Sequence, residues 1–428
     1  MNAFCKKTIH ALVWRFAVKL VICLNIVGLT ELFVILSDTK IIMIMKGTYL
    51  LAALALCVSC SNGTRLHSEM PEVNLIASTS EVEQLDKLVS DIEAVKLDSA
   101  IKMPMPPNKL LVYGDNLIAL STGRIFEFTS SGKFVRYIGQ IGDAPGEYQH
   151  LLDCCINLSG NELLCLTHMN EVFRYSLPSG EYIGKISVGN LGVTATAVLP
   201  LSDGRFGLFY SNPAQSDIMN FDDEFNCVRI YDASGKEVDA MQPRDDFNIG
   251  MCFATPSIQS LGGSYILSYR PGDGPCYEIG KDGIVPFCNI TFGDIGIPAR
   301  EMVTGVDNPW DKIADVFETD YFKSPSSVCR TDDIYYFSAF GKQSSVWNFV
   351  LDKSLRKGFR WQSVGGSRPP MCALAADDEY VYFCYGETGL TDSSMTRDPL
   401  QKLIIDRLGL ALGKGDNPAI IKVKFNCL

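Results

Sequence analysis

The sequence has few of the side chains on which most enzymes and metal proteins depend. Only four histidines occur in 428 residues, so general bases that titrate near neutral pH are scarce. No C-x-x-C pair follows Cys60, and a zinc site of the usual ligand spacing is therefore missing. The nucleophile elbow G-x-S-x-G does not occur either. The sequence predicts no catalytic residue, no metal ligand and no cofactor, although calcium stays open.

Basic patches and phosphate loops are also lacking. The formal net charge is -11, and the first 59 residues carry six basic against two acidic side chains, so the remainder is more acidic still. Such a chain repels nucleic-acid backbones, and nucleic acid is not expected as a partner. The stretch "RYIGQIGDAPGEYQHL", Arg136 to Leu151, has three glycines but lacks the Lys, the Ser or Thr and the helix of a phosphate loop. We interpret it as a loop that carries the chain from one sheet to the next.

Long apolar runs are confined to the N-terminus. The run from Val21 to Leu36 is interrupted by Glu31 and is short for a bilayer-spanning helix, which needs about 20 apolar residues. From Met45, "MKGTYLLAALALCVSCSN" has a short apolar core and ends in small residues before Cys60. This layout resembles a bacterial lipoprotein signal peptide in which Cys60 is the lipidated cysteine. A plain transmembrane anchor is the alternative.

The resemblance implies an organisation and a location. We predict an upstream extension or misassigned start over residues 1–44, a signal peptide over 45–60 and a linker over 61–90. Acyl chains on Cys60 would anchor the body to a membrane. Surface-exposed lipoproteins of the Bacteroidetes carry acidic residues directly after that cysteine, whereas the first acid here is Glu69. The prediction is therefore a cell-envelope protein, lipid-anchored to the outer membrane and facing the periplasm.

Cysteine is frequent, with fifteen residues, but its placement argues against a disulfide framework. Most of the cysteines after Cys60 lie inside apolar runs such as "LLCL" and "YVYFCY", where the thiol behaves as a small hydrophobic group. We predict buried free thiols.

Internal repeats are the most informative feature. Four stretches share an aromatic alternating strand, a polar turn with glycine and a second strand: "RIFEFTSSGKFV", "EVFRYSLPSGEYI", "VRIYDASGKEV" and "CYEIGKDGIV". Their turn glycines, at 132, 180, 235 and 283, are separated by 48, 55 and 48 residues. A further hairpin precedes each stretch, which makes four strands per unit. A period near 50 residues is typical of propeller blades.

Two less regular units complete the count. The fifth begins at "SVCRTDDIYYFSAF" and the sixth combines "MCALAADDEYVYFCYG" with "AIIKVKF". The strand "IEAVKLDS", from Ile92, is predicted to close the ring beside "AIIKVKF", because an open seam would leave unpaired edge groups; an isolated leader strand is the alternative. "PLQKLIIDRLGLAL" predicts one short helix that ends at Gly413. The sequence thus predicts an all-β, six-bladed β-propeller of four-stranded blades over residues 91–428, with one short helix near the C-terminus.

Several motifs together resemble a known family. "GQIGDAPGEY" from Gly139, "CNITFGDIGIPAREM" and "LIIDRLGLALGKGDNPAIIKVKF" are similar to the six-bladed β-propeller lipoproteins of Bacteroides, described as TolB-like or NHL-like. The family usually has Gly-Gln-Gly before Pro-Gly-Glu-Tyr, where this chain has Gly142, Asp143 and Ala144. The resemblance implies architecture and location, and no activity.

Two places are candidates for ligand binding. Glu147 and Tyr148 follow the glycine-rich loop and could line a funnel at the channel, since loops on a rigid scaffold carry binding groups. Alternatively, Glu147 caps backbone donors and Tyr148 packs between blades. "YRPGDGPCY" offers Arg270 and Asp273 at a hairpin tip as a second binding rim. The adjacent Asp pairs at predicted turns favour solvated loops and Asx hydrogen bonds over a cation site.

Two functions follow from this sequence. We favour a non-catalytic binding or interaction module whose partner is an envelope protein or a glycan. The alternative is a metal-dependent propeller enzyme, lactonase- or lyase-like, acting on a sugar-derived substrate. Convergence of three or more metal-ligating side chains at one channel mouth would separate the two, because fold alone does not confer chemistry.

Overall fold

The computed structural model describes residues 33–37, 40–44 and 70–426, apart from 160, 190–193, 211–227, 242–257, 260–264, 269–273, 281–282, 297–318, 323–324, 342–344, 364–370, 372, 387–395, 411 and 414. The chain divides into two units, Met1–Ser68 and Glu69–Leu428. In the first unit, β1 (Phe33–Ser37) and β2 (Lys40–Ile44) form an antiparallel hairpin. The predicted signal peptide, with Cys60, lies outside the described residues. In the part that is described, no helix combines the length and apolar composition needed to cross a bilayer.

The second unit is a six-bladed propeller, as predicted. In chain order its strands are β3 (Glu72–Asn74), β4 (Thr79–Glu81), β5 (Val89–Lys96), β6 (Lys109–Tyr113), β7 (Asn116–Ser121), β8 (Arg124–Thr129), β9 (Phe134–Tyr137), β10 (Gln140–Ile141), β11 (Glu147–Tyr148), β12 (Leu151–Ile156), β13 (Glu162–Thr167), β14 (Glu171–Ser176), β15 (Tyr182–Ser187), β16 (Ala197–Pro200), β17 (Phe206–Phe209), β18 (Val228–Tyr231), β19 (Glu237–Met241), β20 (Ile258–Gln259), β21 (Tyr265–Ser268), β22 (Gly274–Gly280), β23 (Gly283–Thr291), β24 (Pro325–Arg330), β25 (Ile334–Phe340), β26 (Val346–Asp352), β27 (Gly358–Ser363), β28 (Ala373–Ala376), β29 (Val381–Tyr385) and β30 (Ala419–Phe425). Blades 1 to 5 are β6–β9, β12–β15, β16–β19, β20–β23 and β24–β27, and blade 6 is β28–β30 with β5.

The ring closes through the strand that the sequence predicted. β5 pairs antiparallel with β30, with Ala94 opposite Ile421. The last blade therefore takes its outermost strand from the beginning of the propeller, and this pairing satisfies the edge of β30. The isolated-leader alternative is wrong.

Two blades have a fifth strand that the sequence analysis did not find. β3 adds in parallel to β23 of blade 4, and β4 adds in parallel to β27 of blade 5. Arg360 fixes the second addition, since its guanidinium donates to the carbonyl oxygens of Ile76 and Thr79 at 3.1 and 2.6 Å. The region predicted as a linker, 61–90, thus contains strands of the body. A three-residue strand is too short for an alternating pattern to be recognised.

The repeated aromatic strands form the core between blades. In β8, Phe126 and Phe128 are both buried, and in β14 Tyr175 is buried. The same position of blades 3 and 4 holds the buried Tyr231 and Tyr277. Burying a ring of this size contributes roughly 2 kcal/mol, so the aromatic repeat is a main source of the cohesion between sheets.

The repeated turn glycines have a second role besides turn geometry. Gly132 and Gly235 have φ of +87° and +86°, a conformation that glycine adopts without strain. Each turn also touches the outer strand region of the preceding blade. A Cβ at Gly132 would lie 2.1 Å from the carbonyl oxygen of Lys96, and one at Gly235 would lie 2.8 Å from that of Ser187. Close approach between blades therefore requires glycine here.

The single described α-helix, α1 (Pro399–Leu408), is shorter than predicted, and a short 3-10 helix covers Gly293–Ile295. Asp398 is its N-cap and accepts hydrogen bonds from the backbone N–H groups of Leu400 and Gln401. The helix ends at Gly409, not at Gly413, because Gly409 adopts φ of +56° and donates its N–H to the carbonyl oxygen of Ile405. The apolar residues that follow continue the helical spacing by coincidence.

Strand direction separates the connections into two faces. The second-to-third strand connections and the crossings between blades leave one face, which we call the crossing face. Its longest segments are 292–324 and 386–418. The opposite face, which we call the hairpin face, carries the other turns, and those that the structure describes are short, such as 114–115 and 232–236. The antiparallel order within every blade imposes this division.

Candidate functional site

The innermost strands of three consecutive blades meet through one buried ion pair just below the crossing face. Lys109 is the first residue of β6, and its Nζ lies 2.6 Å from Oδ1 of Asp153 in β12. The other carboxylate oxygen, Oδ2, accepts a hydrogen bond of 2.9 Å from the backbone N–H of Val198 in β16. We call this the inner ion pair. It links blades 1, 2 and 3.

Both charges of the inner ion pair are removed from water. The exposed fractions of the Lys109 and Asp153 side chains are 5% and 4%. Burial raises the pKa of the Asp153 carboxyl, and the neighbouring Lys109 opposes that rise. Burial alone would lower the pKa of Lys109, but the charge and the hydrogen bond of Asp153, together with Cys154 and Cys155 nearby, raise the pKa of the ammonium overall. The ammonium therefore stays charged and needs its partner.

The thiols beside the pair are inert. Cys154 and Cys155 are fully buried, and burial raises the pKa of Cys154 to about 12. A thiol that stays protonated is a poor nucleophile and a poor metal ligand. None of the seven cysteines in the described part of the chain is in a disulfide, and six are buried, which agrees with the predicted role as core residues.

A β-bulge shapes the strand that carries Asp153. The register between β12 and β13 shifts between Leu151 and Asp153, so that Leu152 is partly exposed while Asp153 is buried. Sequence reasoning missed this pair. The available signal was a single Asp inside the apolar run "LLDCCI", because a charge in a buried strand demands a buried partner.

The stretch from Arg136 to Leu151 is the crossing from blade 1 to blade 2, as interpreted from the sequence. It leaves β9, the outer strand of blade 1, and enters β12, the innermost strand of blade 2. Inside it, β10 and β11 pair in parallel. The Glu147 carboxylate accepts hydrogen bonds from the Ala144 backbone N–H, at 3.0 Å, and from the Gln140 side chain. Glu147 therefore caps backbone donors of its own loop.

Tyr148 lies between the first two blades. Its ring is buried and packs edge-on against Phe173 and Tyr175 of β14, with centroid distances of 6.3 and 6.4 Å. Its hydroxyl donates to the carbonyl oxygen of Ile138 at 3.4 Å, and burial raises the pKa of that hydroxyl. These contacts agree with the alternative in which Glu147 caps a backbone donor and Tyr148 packs between blades. A ligand-binding role for Glu147 and Tyr148 stays a prediction, and Arg270 and Asp273 lie outside the described residues.

Two histidines meet on the crossing face beside this loop. Leu151 and Thr167 are paired in the ladder between β12 and β13. His150 precedes the first and His168 follows the second, so the ladder places the two imidazoles side by side. Their ring centroids are 5.2 Å apart with the rings nearly perpendicular, and the His168 N–H donates to the His150 carbonyl oxygen at 3.2 Å. We call them the histidine pair.

The "DNP" motif near the C-terminus is a structural clamp. The amide of Asn417 is buried, and its Oδ1 accepts from the Met103 backbone N–H at 3.0 Å. Its Nδ2 donates to the carbonyl oxygens of Asp98 and Ile101 at 2.7 and 2.6 Å. One side chain thus connects the crossing between blades 6 and 1 to the segment that leads into β30.

The adjacent Asp pairs that the structure describes lie in turns and take part in hydrogen bonds there. Oδ1 of Asp377 accepts from the backbone N–H groups of Glu379 and Tyr380, and the Asp332 N–H donates to the carbonyl oxygen of Asp378. The pairs at 222–223 and 245–246 lie outside the described residues. Within the described ranges, no group of three or more His, Cys, Asp or Glu side chains is placed to hold a metal ion.

Comparison with solved structures supports the fold. A predicted exported protein from Bacteroides fragilis NCTC 9343 is similar with a TM-score of 0.61 and 17% identity, over 82% of this chain and 99% of that chain. U3-55K has a TM-score of 0.41 and 12% identity over 78% of this chain and 99% of its own. The RRP9 WD40 repeats have a TM-score of 0.40 and 11% identity over 79% and 99%. The support for the fold comes from the first of these, whose 17% identity concerns architecture alone, and TM-scores near 0.4 add nothing to it.

Comparison with known sequences gives the family. No curated protein matches this chain. The family model described as "Domain of unknown function (DUF4934)" matches residues 71–424, which include both added strands and all six blades. Since the match covers most of the sequence, the chain belongs to the DUF4934 domain family.

Proposed function

We propose that the protein is an exported, lipid-anchored propeller that acts as a non-catalytic binding module in the bacterial cell envelope. The observation that carries the proposal is the difference between its two faces. The described connections of the hairpin face are short turns, whereas the two longest intervals between strands, 292–324 and 386–418, begin and end on the crossing face. Long loops held by a rigid scaffold are where binding groups concentrate.

The interior beneath the crossing face is suited to support rather than to reaction. The inner ion pair satisfies its own charges and joins three blades, and the neighbouring thiols are protonated. Because the inner strands are connected in this way, they hold the loops of the crossing face in place, which lowers the entropy lost when a partner binds. The partner we propose is an envelope protein or a glycan, and no cofactor is assigned.

Photo-crosslinking tests whether the partner binds the crossing face. A benzophenone amino acid at Met169, which is 64% exposed in the turn after β13 on the crossing face, is expected to crosslink to envelope material in intact cells. The matched control is the same substitution at Ala233, an exposed residue of the hairpin-face turn before β19. Crosslinks from Ala233 alone, or equal crosslinks from both positions, would contradict the proposal.

Export and anchoring are proposed from the residues around Cys60. The similarity to a predicted exported protein of Bacteroides supports export. The resemblance to TolB-like and NHL-like lipoproteins supports a lipid anchor in the outer membrane, and the late position of the first acid, Glu69, favours the periplasmic face. Mass spectrometry of the mature N-terminus is expected to show an acylated Cys60, and Cys60→Ser is expected to leave the precursor unprocessed. An unmodified N-terminus at Met1 or Met45 would contradict the anchoring proposal and would leave the binding proposal unaffected.

A further inference from the structure

We propose that the histidine pair, His150 and His168, is a binding site for a first-row transition ion that prefers imidazole, with Zn²⁺ as the working probe. Neither position forms a metal motif along the sequence. Metal binding by these two side chains does not depend on anchoring or on envelope binding, whereas the use of the bound ion as an attachment point for a partner rests on the proposed function.

The first argument is proximity. Two nitrogens that bind one zinc ion at 2.0–2.1 Å lie about 3.3 Å apart in tetrahedral geometry. Ring centroids at 5.2 Å allow that separation after a rotation of one ring. His150 is exposed, and the backbone N–H of His168 donates to the carbonyl oxygen of His150, which keeps the two residues together.

The second argument is an unsatisfied atom. Nδ1 of His168 is buried and has no hydrogen-bond partner among the described residues. A buried polar atom without a partner costs about 1–3 kcal/mol, and nothing in the described surroundings fixes the tautomer of this imidazole. A metal ion bound through Nδ1 would fix the tautomer and would remove part of that cost.

The third argument is the chemical surroundings. The described residues offer no third His, Cys, Asp or Glu ligand at this position. A bound ion would therefore keep open positions for water or for a group of the binding partner. Such a site on the crossing face supplies an attachment point for a carboxylate or imidazole of that partner.

The small number of histidines makes a direct test possible. The full chain is labelled with ¹³C and ¹⁵N only in histidine, and accessible thiols are blocked with iodoacetamide in the native state. Single substitutions assign the imidazole signals, since the sequence has four histidines. Zn²⁺ is then added at pH 7.5, where neutral imidazole binds without releasing a proton.

We expect the signals of His150 and His168 to shift together with one equivalent of Zn²⁺, while the signals of His10 and His67 do not follow them. His150→Ala is expected to weaken the shift of His168 by about 100-fold in Zn²⁺ concentration or more, because loss of an outer-shell partner alone costs 10–100-fold. His67→Ala is the matched control and is expected to leave the shift unchanged.

Two outcomes would overturn the inference. One is that His150 and His168 shift at clearly different Zn²⁺ concentrations or not at all. The other is that the His168 shift persists unchanged in His150→Ala. His150 is exposed, so this variant is expected to melt at the wild-type temperature, and a thermal melt confirms that a lost signal reflects binding and not unfolding.

Discussion

Nζ of Lys109 and Oδ1 of Asp153 lie 2.6 Å apart on the innermost strands of neighbouring blades, and both side chains are almost completely removed from water. The pair is therefore a fixed connection at the centre of the ring. Ion pairs of this kind are not strong sources of stability, but breaking one leaves an uncompensated buried charge.

Lys109→Met is expected to lower the free energy of unfolding by about 3–5 kcal/mol, because Asp153 would remain buried without a counter-ion. The double variant Lys109→Met, Asp153→Leu is expected to recover a large part of this loss. Urea denaturation measures both. Lys185→Met is the control, since the half-exposed Lys185–Glu171 pair has the same 2.6 Å separation and is expected to contribute under about 1 kcal/mol. Equal losses for Lys109→Met and Lys185→Met would contradict the role assigned to burial.

The loss in Lys109→Met is expected to depend on pH. Without the ammonium, burial raises the pKa of Asp153 further above its ordinary value of 3.8, so the folded state holds the proton more tightly than the unfolded chain. Stability is then highest below that ordinary value and is lost as the pH rises through the raised pKa. The difference in melting temperature between wild type and variant should shrink as the pH is lowered from 7 to 4. A difference in melting temperature that stays constant over this range would mean that the unpaired Asp153 carboxylate is not the cause of the lost stability.

Two turn glycines of the repeat separate conformational strain from steric contact. Gly132 and Gly283 have φ of +87° and +92°, but a Cβ at Gly283 meets no atom within 4 Å, whereas at Gly132 it would collide with the carbonyl of Lys96. Gly283→Ala is expected to lower stability by about 1–2 kcal/mol through strain alone. Gly132→Ala should lose a further ~1–3 kcal/mol, because blades 6 and 1 must move apart. Thermal unfolding of both variants tests this, and losses of the same size would show that the close approach has no energetic weight.

Asn417→Ala is expected to remove a connection between blades 6 and 1. Three backbone groups would lose their buried partner, and the stability should fall by about 3 kcal/mol or more. Hydrogen exchange should show faster exchange in residues 97–108, with little change in blade 3. Asp416→Ala is the neighbouring control, because among the described residues the exposed Asp416 carboxylate accepts from the Gly413 N–H alone, and its loss should be under about 1 kcal/mol. Unchanged exchange over 97–108 in Asn417→Ala would contradict the clamp.

The regular part of the propeller was predictable because its signals are local. The strands around Phe126 and Tyr175 alternate in hydrophobicity, and their turns need glycine, so four units could be recognised from composition and spacing. The closing strand β5 was predictable from the same alternation. The added strands β3 and β4 were not, since three residues in parallel pairing have no pattern of their own. The end of α1 was misplaced because Leu410 and Leu412 extend the helical spacing beyond the left-handed Gly409.

The candidate sites, too, were only partly predictable from the sequence. The glycine-rich crossing was found from its sequence, yet the sequence could not decide whether Tyr148 faces a ligand or a neighbouring blade. His150 and His168 were recognised only as scarce residues, and their pairing depends on the register of β12 against β13. The ligand-binding residues proposed at 270 and 273 remain predictions.

By itself, the sequence determined the number of blades, the alternating pattern of the closing strand and the acidic character of the chain, because periodicity and composition act between residues close in the chain. Only the tertiary structure decided which distant residues become neighbours. Lys109 and Asp153 are brought together by blade order, Asn417 and Met103 by ring closure, and the two histidines by strand register. These contacts join residues whose separation along the chain carries no signal, and they are set by how the sheets pack around a common axis.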